Sequence, residues 1–302
     1  MHIAPDKLVI ESNVPISTWF KIGGCAERFC APETVHQLQA ALVIDPDLRV
    51  LGDGANLLVD DDGVPELVVS LRALAGVSRD EQTGIVTLGA GVNLFKFLPV
   101  ACGKGWGGME GLGGIPASIG GAVMMNAGGR FGEIGDSVVR VHAVDRTGRM
   151  LTLERKDIPF SYRHSGLEGL IVTSVEVLMP QGDPTLLRAK LKDVMKYKAD
   201  SQPMSAQSAG CCFKNPTLTH DVDGIGSKGQ RVSAGMLIDR AGLKGLVCRG
   251  ASVSMVHGNF LVTDETAKAR DVIELMNTVA ARVKERFGIE IQREVVVWSR
   301  HS

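Results

Sequence analysis

The chain has 302 residues, 44% of them apolar and 22% charged, with a formal net charge of −1. That length suffices for two or three compact units, each with its own core. No apolar run approaches the ~18 residues of a membrane span, and no Lys/Arg block marks a nucleic-acid partner.

The N-terminal "MHIAPDKLVIESNVP" lacks a basic start followed by an apolar stretch. No secretory leader is read there, and a cytoplasmic setting is expected. The first seventy residues read as a small mixed unit, in which "RVLGDGANLLVDDDGVPELVVSL" alternates short apolar strands with glycine and aspartate turns. A strand is expected over 84–89 and an amphipathic segment over 93–102. After the glycine-rich stretch, "VVRVHAVDRTGRMLTLER" reads as a hairpin turning at Thr147 and Gly148, and "LIVTSVEVLM" as a buried strand. A helix follows over 184–199. The last block carries a short helix in "VSAGMLIDRAGL", strands in "LVCRGASVSM" and "NFLVTD", and a long helix over 266–287 with Ala269, Val272, Ile273, Met276, Val279, Ala280, Val283 and Phe287 on one stripe. Gly288 is placed to end that helix. A final strand, "IEIQREVVVW", sets Ile289, Ile291, Val295 and Val297 against Glu290, Gln292 and Glu294. The block boundaries are 1–72, 73–200 and 201–302.

Six cysteines read as reduced thiols. Four residues separate Cys25 from Cys30, and neither C-x-x-C nor H-E-x-x-H occurs, so no metal site is read. Glycine is the departure: 36 residues, about 12% against a usual ~7%, concentrated in "GDGANLL" (52–58) and "GLGGIPASIGGAVMMNAGG" (111–129). Such runs let the backbone approach a ligand, and successive exposed N–H groups ending at a helix N-terminus can hold a phosphate or diphosphate. Tight turns between strands would account for either run alone. Two rich runs at strand ends suit a dinucleotide. Neither is a Walker loop. "GIGSKG" (224–229) matches G-x-G-x-x-G literally but follows no strand, so a surface loop is expected there.

"SAGCCFKNP" (208–216) sets two adjacent cysteines after a small, glycine-bearing turn. By default both would be buried, inert cysteines.

Together "GMEGLGGIPASIGGAVMMNAGG", "FSYRHS", "SAGCCFKNP" and "FGIEIQREV", with "STWFKIGGCAERFCAPET" and "LGDGANLLV" before them, resemble in order and spacing the motifs of the UDP-N-acetylenolpyruvoylglucosamine reductase family. The resemblance covers nearly the whole chain and is to the compact type without a substrate-domain insertion. It implies an α+β fold: a two-subdomain FAD-binding region of the vanillyl-alcohol-oxidase type over 1–72 and 73–200, then an α+β substrate domain over 201–302. It also implies non-covalent FAD, NADPH as reductant, and UDP-N-acetylglucosamine enolpyruvate as substrate, in a protein expected to be a monomer.

Carried onto these residues, the resemblance makes Arg163 the catalytic arginine, a permanently charged fork for a carboxylate. Glu294 becomes the catalytic glutamate, and Cys211 stands where the family usually has a proton-donating serine. A thiol, with a reference pKa near ~8.5, gives up a proton more readily than an alcohol yet is mostly protonated at neutral pH. Cys212 is expected to turn away into the core. Tyr162, Lys214 and Asn215 are expected beside the substrate. FAD is expected along Gly52, Asp53, Gly54, Ala55, Asn56 and Leu57, and along Gly114, Ile115, Pro116, Ser118, Ile119, Gly120, Ala122, Val123 and Asn126. Ala55, Ala117, Val256 and Thr263 depart from the family's common residues, and Ala117 requires a negative φ or tolerated strain. Two other readings are another FAD-dependent oxidoreductase of this fold and a catalytically silent UDP-sugar-binding relative.

Overall fold

The computed structural model describes residues 8–300. Met1–Lys7, part of the segment read above for a leader, lies outside the described residues. The chain divides into two compact units. The first takes the described residues through Val14, then Ala26–Asp53 and Pro65–Lys198. The second takes Pro15–Cys25, Gly54–Val64 and the described residues from Ala199 onward. No helix among the described residues is long and apolar enough to cross a membrane.

Two sheets build the first unit. One has four strands in the order Glu11–Pro15, Cys25–Cys30, Val64–Ser70, Arg49–Leu51. Its last two strands are parallel, with Val50 opposite Val69. A parallel pair covered on both faces wants a continuous apolar run, and Leu67, Val68 and Val69 are fully buried. The other sheet has five antiparallel strands in the order Met150–Glu154, Val138–Val144, Ile171–Leu178, Ile85–Gly89, Val77–Arg79. The expected hairpin is present. Asp145 Oδ1 accepts from the N–H groups of Thr147 at 2.8 Å and Arg149 at 3.0 Å, and Gly148 takes the positive φ the turn needs.

Alternation along these strands separates two faces. Val141, Val175 and Val177 join the core that the helices Leu94–Gly103 and Ile119–Met124 cover. Arg140, His142, Glu154 and Glu176 carry a charged ladder, with Arg140 reaching Glu154 and Glu176 at 2.7 Å each.

In the second unit the core gathers on the helix Ala269–Phe287, whose buried Val272, Leu275, Met276, Val279 and Val283 follow the helical period. The helix starts three residues later than the periodicity suggests, for a reason of capping. Asp264 Oδ1 ties the Thr266 N–H and hydroxyl into a turn at 2.8 and 2.7 Å. Asp61 then accepts from the N–H groups of Ala269 and Arg270 at 2.8 and 3.1 Å, satisfying donors that have no intrahelical partner. Gly288 ends the helix at φ +69°, its N–H donating to Lys284 O at 2.8 Å. A Cβ there would meet only an ordinary contact, His220 Nε2 at 3.9 Å. Gly288→Ala is therefore expected to lower the unfolding free energy by about 1–2 kcal/mol, the cost of a left-handed L-residue, measured by urea denaturation with turnover unchanged.

Three short antiparallel strands, Val247–Cys248, Ala251–Val253 and Leu261–Thr263, pack on this helix. Leu57–Val59 pairs in parallel with Val296–Trp298, Leu58 opposite Val297. The expected final strand is regular only over Val296–Trp298, because Arg293 bridges to Phe213 instead. Its alternation survives: Ile289, Ile291 and Val295 are buried while Glu290 and Gln292 are exposed. The "GIGSKG" stretch is a turn-rich loop with open space at Gly224 and Gly229.

Candidate functional site

In the first unit the two glycine runs meet. Strand Arg49–Leu51 ends at Gly52, where a Cβ would lie 2.4 Å from Ser118 Oγ. Asp53 is held by Asn93 Nδ2 at 2.6 Å and Arg72 Nε at 3.5 Å. Asn93 also caps the helix Leu94–Gly103 through Lys96 N at 2.9 Å. Gly114 turns at φ +78°. Among the described residues, the backbone N–H groups of Gly52, Asp53, Gly114, Ala117 and Ser118 donate to no protein acceptor.

The helix that follows corrects one expectation. The Ile119 N–H donates to Val92 O at 2.8 Å and the Gly120 N–H to Ala90 O at 2.9 Å, while the Gly121 N–H reaches Ser118 Oγ at 3.4 Å. The first turn of Ile119–Met124 is thus spent on protein, and the available donors lie in the loop before it. Ile119, Ala122 and Val123 are core residues. Ile115 packs against that core from a partly buried position, and Ala117 stays out of the left-handed region.

Asn126, buried and at φ +42°, supports the Arg163 loop. Its Oδ1 accepts from Gly135 N at 3.1 Å, and its Nδ2 donates to Glu133 Oε2 at 2.7 Å and Ser161 O at 2.9 Å. Ser161 and His164 exchange backbone hydrogen bonds at 2.9 and 3.1 Å, which leaves Tyr162 and Arg163 at the tip of a tight turn. Arg163 is there at φ +55°, strained for a side-chain-bearing residue. Its Nη2 donates to Gly128 O at 2.9 Å, and its guanidinium lies 5.1 Å from the Tyr162 ring centroid. Both contacts fix where the fork points.

The second unit brings Cys211, Glu294 and Asn56 together. Residues 212–214 run between two neighbours. On one side the Glu294 N–H donates to Cys212 O and the Lys214 N–H to Gln292 O, both at 2.8 Å. Phe213 faces Arg293 in this pairing, so Glu294 stands opposite Cys212, one register step from Cys211. On the other side Cys211 bridges to Phe260, and the Cys212 N–H donates to Asn259 O at 2.8 Å. The buried Asn259 side chain clamps the same segment: Oδ1 accepts from Phe213 N at 2.9 Å and Nδ2 donates to Phe213 O at 2.8 Å.

The two thiols differ as expected. Cys212 is fully buried, and that desolvation pushes its thiol up to about 12. Cys211 is partly exposed. Asn56 Nδ2 donates to Glu294 O at 3.0 Å, and Asn56 O accepts from Val296 N at 3.1 Å, so Asn56 fixes the glutamate's backbone. Asn215 Oδ1 accepts from Ala234 N at 2.9 Å, at the start of the helix Ala234–Arg240. Gly54, at φ +65°, leaves no room for a Cβ, which would fall 2.3 Å from Ser17 O.

Asn259 and Lys198 escaped the sequence reading. A polar amide before Phe260 in a short strand gives no signal of three backbone contacts. Lys198 did leave one. It continues the stripe Leu187, Leu191, Val194 of the helix Pro184–Ser201, where an apolar residue would be expected.

Comparison with known proteins bears on both units. Residues 26–154 match the family model "FAD binding domain", and residues 202–298 match "UDP-N-acetylenolpyruvoylglucosamine reductase, C-terminal domain". The UDP-N-acetylenolpyruvoylglucosamine reductase of Nostoc punctiforme is 37% identical over 285 residues, covering 92% of this chain and 82% of that protein. That of Moorella thermoacetica is 37% identical over 300 residues, covering 97% and 94%. The crystal structure of the Thermus caldophilus reductase superposes with a TM-score of 0.81 at 36% identity, covering 97% of this chain and all of that one. On motifs, fold and full-length similarity alike, the chain belongs to the UDP-N-acetylenolpyruvoylglucosamine reductase family.

Proposed function

We propose that this chain reduces UDP-N-acetylglucosamine enolpyruvate to UDP-N-acetylmuramate, a peptidoglycan precursor, with non-covalent FAD and with NADPH as reductant. The observation that carries the reading is the contrast between a partly exposed Cys211 and a buried Cys212 at the start of the segment that pairs with residues 292–294.

The residues fit a flavin dinucleotide. A diphosphate wants several N–H donors on a surface clear of side chains. The N–H groups of Gly52, Asp53, Gly114, Ala117 and Ser118 make no hydrogen bond within the described protein, and side chains are excluded at Gly52 and strained at Gly114. These residues would hold the diphosphate. Gly54, Ala55, Asn56 and Leu57 continue the first run. Bound FAD would supply the hydride chemistry.

The chain's own groups answer the rest of the reaction. Adding hydride to the terminal alkene carbon leaves negative charge delocalised onto the substrate carboxylate. Arg163 binds that carboxylate and stabilises the charge as it develops, a term worth about 10²–10³ in rate for a single donor in comparable sites. Its aim is set by Gly128 O, Tyr162 and the Asn126-supported turn. Cys211 delivers the proton to the neighbouring carbon. Cys212 does not compete, since it is fully buried. Glu294, its backbone fixed by Asn56 and Cys212, positions the enolic species. Lys214, the last residue of the paired segment, and Asn215 after it lie beside the nucleotide. The six cysteines form no disulfide among the described residues, which fits a reducing, cytoplasmic setting.

The test is anaerobic. The purified protein is expected to show a flavin spectrum, to be bleached by NADPH, and to regain its colour on addition of the UDP-linked enol ether. Persistence of the bleached spectrum would remove the assignment. Steady reoxidation by O₂ without NADPH would move it to an oxidase of the same fold.

A further inference from the structure

Lys198 ends the buried stripe of the helix Pro184–Ser201, four residues after the buried Val194. Its stem packs on the glycine-rich loop, where a Cβ on Gly114 would lie 3.1 Å from Lys198 Cδ. The charge nearest to it in effect is of the same sign, the Arg163 guanidinium. No acidic side chain pairs with Lys198 among the described residues. Half-buried lysines normally extend to water or meet a carboxylate. This one meets no carboxylate, and it stands beside a second cation and an N–H that the protein leaves unspent.

Burial first, and Arg163 second, lower its pKa from 10.5 to about 8. The ammonium is therefore still largely charged at neutral pH, and among the described residues no carboxylate pairs with it to offset its desolvation. An arrangement of this kind is stabilised by an anion that arrives from outside.

We propose that Lys198 is a binding residue of this site: with the Arg163 guanidinium and the Gly114 N–H, its ammonium receives an oxyanion, either a carboxylate or a phosphate. Lys198, Arg163 and Gly114 carry that statement by themselves. Naming the guest as the substrate's carboxylate, or as the flavin's diphosphate, rests on the function proposed above.

The experiment compares wild type with Lys198→Met, which keeps the stem's packing, and Lys198→Arg, which restores the charge. Flavin affinity, kcat and KM for the UDP-linked enol ether, and Tm are measured on each. A lost charge-assisted contact corresponds to about 10- to 100-fold. A fall of that size in kcat/KM for Lys198→Met, with flavin affinity kept and recovery in Lys198→Arg, identifies the carboxylate. An equal loss of flavin affinity, with turnover per bound flavin kept, identifies the diphosphate. Tm of Lys198→Met is expected to match or exceed wild type, because a desolvated charge has been removed. Unchanged flavin affinity and unchanged kcat/KM would overturn the proposal, and so would a fall in Tm that accounts for the lost activity. Should the wild-type chain take up no flavin and reduce no enol ether, the function above fails separately. Thermal stabilisation by inorganic diphosphate, present in wild type and absent in Lys198→Met, then reads the oxyanion site alone, and its absence in both ends the proposal.

Discussion

Replacing Cys211 with alanine is expected to leave flavin content unchanged and to cut alkene reduction by about 10²–10⁴-fold, the range a positioned acid contributes. Cys211→Ser is expected to keep substantial activity, since a hydroxyl occupies the same place with the same single donor. No nearby thiol can stand in. Cys212 is fully buried and so cannot reach a substrate. Steady-state turnover of each variant under anaerobic conditions, with the flavin spectrum as a control for folding, decides the matter. An alanine variant as active as wild type would end the donor role. The backbone of the segment is expected to survive both changes, because Asn259 and Gln292 hold residues 212–214 through main-chain groups that the substitutions leave alone.

A second large effect is expected at Gly54. Alanine there would carry a Cβ 2.3 Å from Ser17 O and 3.2 Å from Thr18 Cα, on a backbone at φ +65°. The left-handed conformation costs an L-residue about 1–2 kcal/mol, and forcing atoms into a packed site adds about 1–3 kcal/mol. Gly54→Ala is therefore expected to lower the unfolding free energy by about 2–5 kcal/mol in urea denaturation and to weaken flavin uptake. Gly210 supplies the control. It has φ +81° with nothing within 4 Å of a Cβ, so Gly210→Ala is expected to show only the conformational part. Equal losses at the two positions would contradict the packing argument.

Elements with a strong local period were legible in the sequence. The stripe Val272, Met276, Val279, Val283 and the stop at Gly288 locate the long helix, and Gly148 locates the hairpin. Motif order located the segments that carry Arg163, Cys211 and Glu294. What local patterning could not express is who bonds to whom across the chain. Asn126 looks like part of a phosphate loop, yet its side chain is fully committed to holding Ser161, Glu133 and Gly135. Asn56 likewise reaches the far end of the sequence, at Glu294. The helix Ile119–Met124 looked like an anion-binding terminus because its small residues fit one. Its first donors are consumed by Val92 and Ala90, residues with no sequence relation to it. The start of the long helix was misplaced for a related reason, since Asp61, remote in sequence, accepts from its first two N–H groups.

The parallel pairing of Leu57–Val59 with Val296–Trp298 has a consequence for biosynthesis. Strand Leu57–Val59 leaves the ribosome early, and its partner is translated nearly a whole chain later. At about 5–20 residues per second the nascent polypeptide spends on the order of 10 s or more with an apolar edge unmatched. Leu58 and Val59, both fully buried once folded, are exposed for that interval. Emergence of Val296–Trp298 is therefore the step that closes this pairing, and a product terminated before it would present this edge to chaperones and proteases.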